Sequence, residues 1–238
     1  VAAGLTPSPA LTVADLTAAG VDNVTSDNLS AVLAAIAAGN DDGTQTDSLS
    51  ELQALVTGLN TAATALGDFA QANTSGLASA TGTVPDLAAY TAAGVTGVTS
   101  ANLAAINDAL ASANVTGLSV DTPAEIQTLV NAYNAVIAHA ASGTAPAPTA
   151  AQYAVIGVTG VNASTEVSLL ADVIDAKAAA DVSTVAQVQA LADAVQAVMN
   201  TAAGLTPAAT VDQLTLLGVT GVTSGNLSRV LTALASTP

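Results

Sequence analysis

Few side chains in this chain of 238 residues have types and spacing that could do chemistry. His139 is the sole histidine and sits between Ala138 and Ala140 near the end of a helical stretch. As a general base it would need a Ser or Cys nucleophile and an orienting carboxylate; no second His, no Cys and no triad-like spacing accompanies it. A histidine at a helix C-terminus interacts favourably with the helix dipole, and that is the expected role. The stretch "GNDDGTQTD" (39–47) gathers Asp41, Asp42 and Asp47. Carboxylates around a turn are what calcium requires, but the spacing is not that of an EF-hand loop. A helix-to-helix turn rich in Asn, Asp and Gly explains it more simply. Weak calcium binding near Asp41, Asp42 and Asp47 is therefore the one alternative to the expectation of no cofactor and no metal. Asn23, Asn28, Asn73, Asn114, Asn162 and Asn226 begin N-x-Ser/Thr triplets, which arise by chance in a chain this rich in Asn, Ser and Thr. No catalytic residue is assigned, and the chain is not expected to be an enzyme.

The charge balance narrows the partners. Two basic residues, Lys177 and Arg229, stand against 18 acidic ones, for a net charge of −16. No basic groove is available to neutralise nucleic-acid phosphates or to hold an anionic membrane surface. No segment has the roughly 18 uninterrupted apolar residues of a membrane span. An acidic surface confers solubility and suits an extracellular, salty setting in which self-repulsion is screened. The first residues carry neither an initiator Met nor a basic leader segment, so the chain reads as processed or cut from something longer. Aromatics are 2% of the chain and alanine is abundant, so a core must rely on many small aliphatic contacts, each buried Leu or Val contributing roughly 1.5–3 kcal/mol.

What these residues have in common is a repeat that would position them. "GVTGVTS" at 94–100 has close copies at 20–26, 157–161 and 218–224. Each anchoring glycine (Gly20, Gly94, Gly157, Gly218) closes a short segment that opens with Thr and has Asp or Gln three residues on: Thr12/Asp15, Thr83/Asp86, Thr149/Gln152, Thr210/Gln213. That spacing predicts a capped first helix, and the glycine predicts a left-handed C′ position. In the second copy the helix is expected to be longer by three residues, nearly one turn. Thr25 or Ser26, Thr99 or Ser100, and Thr223 or Ser224 are candidate N-caps of a second helix, whose stripe is Leu29, Val32, Leu33, Ile36 in the first copy and Leu227, Val230, Leu231, Leu234 in the fourth. In the third copy the second helix is expected to begin later. Capping boxes at Ser48/Glu51, Thr122/Glu125 and Thr184/Gln187 then open a third helix, with Pro123 at the first helical position.

The fold class that follows is all-α: tandem small three-helix-bundle modules joined by short Gly/Pro/Ser linkers. The limits are 1–11 for the tail of a preceding module plus linker, 12–75, 76–142 and 143–203 for three modules, and 204–238 for a linker and an incomplete fourth module of two helices. The segments 71–82, 142–148 and 204–209 are the expected linkers. In the fourth module, Leu227, Val230, Leu231 and Leu234 are expected to face nothing within the chain. They form a candidate assembly interface, filled either by the rest of a longer array or by a second subunit joined head to tail.

The segment "LTAAGVDNVTSDNLSAVLAAIAAG…SLSELQALV" resembles the three-helix, GA-like albumin-binding-type modules of bacterial surface proteins. The matching elements are the Gly-Val after helix one, the "NL" of the middle helix and the capped third helix. The composition is similar to repeat regions of large bacterial adhesins and surface-layer proteins. The resemblance implies a structural protein of the bacterial cell surface, extracellular, building a stalk, fibre or lattice through neighbouring modules or self-association. Its alternative is an adhesin-type module holding a host or matrix protein on a helical face.

Overall fold

The computed structural model describes residues 10–39, 46–142 and 144–236. Among these, all regular structure is helical: α1 Val13–Ala18, α2 Leu29–Ala38, α3 Leu49–Ala72, α4 Leu87–Ala92, α5 Leu103–Leu110, α6 Pro123–Ser142, α7 Ala150–Val155, α8 Ser164–Asp175, α9 Val185–Ala202, α10 Val211–Leu216 and α11 Leu227–Ala235. Short 3-10 turns lie at Leu77–Ser79, Gly117–Ser119 and Ala179–Val182. The chain forms two compact units, 1–131 and 132–238, divided inside α6. That division does not fall at any of the module limits read from the sequence.

Four of the helices, α1, α4, α7 and α10, are six residues long. Helices this short are marginal in isolation, so local bonds at both ends must hold them. Thr12 Oγ1 accepts from the Asp15 amide, and the Asp15 carboxylate accepts from the Thr12 amide (2.9 Å) and hydroxyl (2.7 Å). Thr149/Gln152 and Thr210/Gln213 repeat the box. At the other end, Gly20, Gly94, Gly157 and Gly218 have φ of 91°, 71°, 91° and 92°. The amide of the following Val reaches back to the fourth residue before the glycine: Val21 to Leu16, Val95 to Tyr90, Val158 to Tyr153 and Val219 to Leu214, at 2.9–3.0 Å. This is the Schellman arrangement, and its acceptor residue is in every copy the buried one of the short helix.

The cap bonds make a prediction. Hydrogen bonds from the Thr12 hydroxyl, and next from the Thr12 amide, hold the Asp15 carboxyl below its ordinary range. A depressed value means a stabilising contribution that is present above the unfolded value of about 3.9 and is lost as pH falls through the folded one. In Thr12→Ala, the Asp15 carboxyl carbon followed by NMR is expected to titrate higher than in the parent chain. An unchanged midpoint would show that the hydroxyl bond is not made.

In the second copy the cap differs from expectation. Asp86, not Thr83, is the N-cap, its carboxylate accepting from the Ala89 amide at 2.9 Å. The three extra residues lie before the helix, not in it. Asp86 stands eight residues before Gly94, as Thr12 does before Gly20, so the repeat keeps its register from the glycine backwards. The second helices also start differently. Asn28, Asn102 and Asn226 are the N-caps, not the Thr or Ser residues before them. Each Asn carbonyl accepts from the amide three residues back, at Thr25, Thr99 and Thr223, and each carboxamide N–H donates to a carbonyl five residues back, at Asn23, Gly97 and Gly221. One side chain thus closes the whole turn. The third copy lacks this Asn: α8 begins seven residues after its glycine, where the others begin nine after, so it starts earlier rather than later. Glu166 replaces the Asn there, accepting from the amides of Asn162 and Ala163.

The long helices behave differently from module-internal third helices. Within the first unit, α3 packs on α2 with its first half, where Val56 and Leu59 join Leu16, Val21, Val32 and Ile36. It also packs on α4, α5 and the Gly117–Ser119 turn of the next copy. Gly67 permits part of that: a Cβ there would lie 3.2 Å from the Gly117 carbonyl oxygen and 3.0 Å from Asp121 Cβ. Within the second unit, α9 packs on α8 and also on α10 and α11. α3 and α9 are therefore each shared by the copy before and the copy after.

Two of the expected linkers, 71–82 and 204–209, are correspondingly folded in. Residues 71 and 72 still belong to α3. Asn73, buried at its end, accepts from the Thr81 amide and donates to the Phe69 and Thr81 carbonyls. Buried Thr201 accepts from the Ala209 amide at 2.8 Å in the same way.

Candidate functional site: the open face of the last repeat

Each copy presents a backbone step just past its glycine. In the first three copies a glutamine from the following long helix reads that step with both ends of its carboxamide. Gln53 accepts from the Asp22 amide at 2.7 Å and donates to the Asp22 carbonyl at 3.2 Å. Gln127 does the same to Thr96 (2.8 and 3.0 Å), and Gln189 to Thr159 (2.8 and 3.1 Å). A carboxamide matches a peptide group donor for acceptor, so the pair satisfies both polar groups of one residue. These glutamines stand five residues after the cap residues Ser48, Thr122 and Thr184, and sequence reasoning passed over them. Their signal was the recurring "ELQ", "EIQ" and "QVQ" at a fixed distance from the glycines.

The fourth copy has the same step at Thr220, and no described residue bonds its N–H or its carbonyl. The adjacent valine tells the same story. Val21, Val95 and Val158 are 1%, 5% and 3% exposed, whereas Val219 is 42% exposed. Leu216 and Leu205 are also exposed. Val230 and Leu234 of α11 are half-buried, while their counterparts Val32 and Ile36, and Ile106 and Leu110, are buried.

The four residues singled out as an assembly face are placed more fully than expected. Leu227, Val230, Leu231 and Leu234 do not face nothing: with Val198 and Val222 they pack against Ala197, Ala209 and Leu214, because α9 runs on under the last copy. No residue of α11 is buried, so each of the four is covered on one side only. A groove of about 540 Å³ runs beside them, with Leu205, Leu227 and Leu231 in its lining. Lys177, one of the two basic residues, donates from Nζ to the Leu216 carbonyl at 2.6 Å, at the end of α10. That places a cation at the negative end of that helix.

The other candidates resolve into structure. His139 is buried, with Nδ1 3.0 Å from the Ala145 carbonyl oxygen and Nε2 3.1 Å from that of Ala171. Its ring links α6 to α8 and to the segment after α6, beyond the dipole role expected of it. Asp41 and Asp42 lie outside the described residues. Asp47 is exposed, and its amide donates to Glu51. Among the described residues no group of three or more His, Cys, Asp or Glu side chains comes together. Asn28 and Asn73, two of the N-x-Ser/Thr asparagines, are buried with their carboxamides engaged. Tyr133 is core, and its hydroxyl donates to the Val182 carbonyl. A larger groove of about 690 Å³ in the first unit is lined by polar side chains including Asn60, Thr64 and Asp68. No described helix is long and apolar enough to cross a membrane. No protein-family model, curated protein or solved structure matches the chain.

Proposed function

We propose that this chain is a structural repeat protein of the bacterial cell surface, an extracellular stalk, fibre or lattice component whose role is to extend and stiffen rather than to catalyse. The observation that carries the reading is the shared long helix: α3 and α9 each bury apolar side chains against the copy before and the copy after. Such sharing leaves consecutive copies no free hinge at 73–81 or 202–209, where Asn73 and Thr201 tie the connection back to the helix. Stiffness built from nearest-neighbour contacts is what a spacer needs. The net charge of −16 and the resemblance to GA-like surface modules support the surface setting. The adhesin alternative calls for an apolar patch repeated on each copy. Exposed large apolar residues do not repeat in that way among the described residues: Leu49 lies in the first copy, Val84, Leu87 and Leu118 in the second, and Leu205, Leu216 and Val219 at the last, so no patch common to every copy supports ligand capture.

The test is light scattering across a concentration series, with and without residues 210–238. Growth in mass that depends on those residues is the expected result for a self-assembling component. A monomer at every concentration, with a compact hydrodynamic radius and specific capture of a host or matrix protein, would replace the structural reading with the adhesin one.

A further inference from the structure

We infer that the last copy is a receptor for one helix of defined chemistry: an amphipathic helix of the α3, α6 and α9 kind, opened by Ser/Thr-x-x-Glu/Gln and carrying a glutamine five residues after the cap. The inference rests on the structural reading above and names what that face accepts.

Three filled examples within the chain define the site. In each, the glutamine carboxamide of a long helix takes both the N–H and the carbonyl of the residue after the Gly-Val step, and in the first copy Leu52, Val56 and Leu59 of that helix share a core with Val21. The covered valine is then 1–5% exposed. The fourth copy offers every receptor element. Gly218 has the same φ of 92°, and the Val219-to-Leu214 bond is formed at 2.9 Å. Asn226 closes the turn onto Thr223 and Gly221 as its counterparts do. The Thr220 peptide groups point to no partner among the described residues, and Val219 is 42% exposed. The geometry is therefore set before the helix arrives, so little ordering cost falls on the receptor side.

Recognition divides between two features. Apolar residues at i, i+3, i+4 and i+7 of the incoming helix cover Val219, Val222, Val230 and Leu234. The glutamine fixes register, because of the α9 glutamines Gln189 alone stands where the filled copies read the backbone step, Gln187 being held in the cap and Gln196 by Asn200. This separates the site from a general hydrophobic face, to which any amphipathic helix would bind in several registers. A lysine or glutamate at that position fails, since neither can both donate to the carbonyl and accept from the amide.

The experiment uses the full chain and a probe taken from it, a helix-stapled peptide of residues 183–203, which carries Thr184, Gln187 and Gln189. Titration into the labelled chain is followed by the Val219 methyl and Thr220 amide signals. Saturable one-to-one binding that shifts both is expected. Gln189→Ala in the peptide is expected to weaken binding roughly tenfold, two modest hydrogen bonds being lost. Val219→Asp in the chain is expected to abolish it. As a second arm, the same segment is appended to residue 238 through a Gly/Ser linker, which raises its effective concentration. Thr220 amide exchange should then slow at least tenfold, and slow less with Gln189→Ala in the appended segment. If the tethered helix leaves Thr220 exchange and the Val219 methyl unchanged, the inference is wrong. If the peptide binds equally well without its glutamine, the face is merely apolar and the inference is wrong. The structural reading fails separately: a chain that stays monomeric while binding the peptide keeps the receptor and loses self-assembly, and a chain that polymerises while ignoring the peptide does the reverse.

Discussion

Gly94→Ala is expected to destabilise the first unit far more than Gly218→Ala destabilises the second, although both glycines hold the same place in the repeat. Both have positive φ, 71° and 92°, where an L side chain is strained by about 1–3 kcal/mol. At Gly218 nothing lies within 4 Å of an added Cβ, so that strain is the whole effect. At Gly94 the Cβ would meet Ala31 Cβ at 2.8 Å and Leu59 Cδ2 at 2.9 Å. Ala31 belongs to α2 and Leu59 to α3, both of the preceding copy, so the clash wedges neighbouring copies apart. Overpacking of that kind adds roughly 1–3 kcal/mol. Urea unfolding, followed by methyl signals assigned to each unit, measures the two costs separately. Equal losses would mean that the close approach of the copies at Gly94 is not real.

The second large effect has opposite signs at equivalent sites. Tyr90 and Tyr153 both stand four residues before a repeat glycine, and both are fully buried. Tyr90 donates to Asn107 Oδ1, and Asn107 donates onward to the Pro85 carbonyl at 2.8 Å. Leu170 occupies the position in the third copy that Asn107 occupies in the second, and the Tyr153 hydroxyl has no hydrogen-bond partner among the described residues. Tyr90→Phe leaves the Asn107 oxygen without its donor and is expected to cost about 1–3 kcal/mol. Tyr153→Phe removes a buried hydroxyl that bonds no described residue and is expected to stabilise the chain, by up to about 1 kcal/mol. Chemical denaturation of the two variants decides it, and a loss in both would show that Tyr153 does have a partner. Alkaline pH offers a further check. Burial pushes both phenols upward from their ordinary value. A raised value means that stability is intact below the unfolded phenol value of about 10 and falls as pH rises beyond it. Each Phe variant should flatten that fall.

Much of this was legible in the chain itself, and the reason is locality. Capping boxes at Thr12, Ser48, Thr149, Thr184 and Thr210, and glycines at positive φ, act within one turn of helix, so residue type and spacing suffice to find them. Thr83 misled because it sits three residues before an Asp, yet Asp86 caps more directly and keeps the distance to Gly94. The asparagines at 28, 102 and 226 are visible as "NL", but residue type points to the Thr and Ser before them as the caps, since the asparagine bonds run backwards into the turn. The candidate site was less legible. Its apolar half, Leu227 to Leu234, follows from helical periodicity. Its polar half pairs a side chain with a backbone group about thirty residues away, and no local rule predicts such a pair. The sharing of α3 and α9 was hidden for the same reason: both halves of a long helix carry the same period, and period alone does not say how many neighbours it serves.

That sharing changes how the chain should come apart. A copy flanked by long helices on both sides is held by two couplings, and opening it costs both. A copy at the rim is held by one. The array then behaves as a one-dimensional chain of coupled spins, in which disorder enters at the rim and advances inward. α10 and α11, packed on α9 and tied to Lys177 at the Leu216 carbonyl, form such a rim while the Thr220 step is unmet, and the half-buried leucines of α11 mark the first residues to melt. A helix seated at Thr220 would convert that rim into an interior position, so joining copies end to end would raise the melting point of each copy already present.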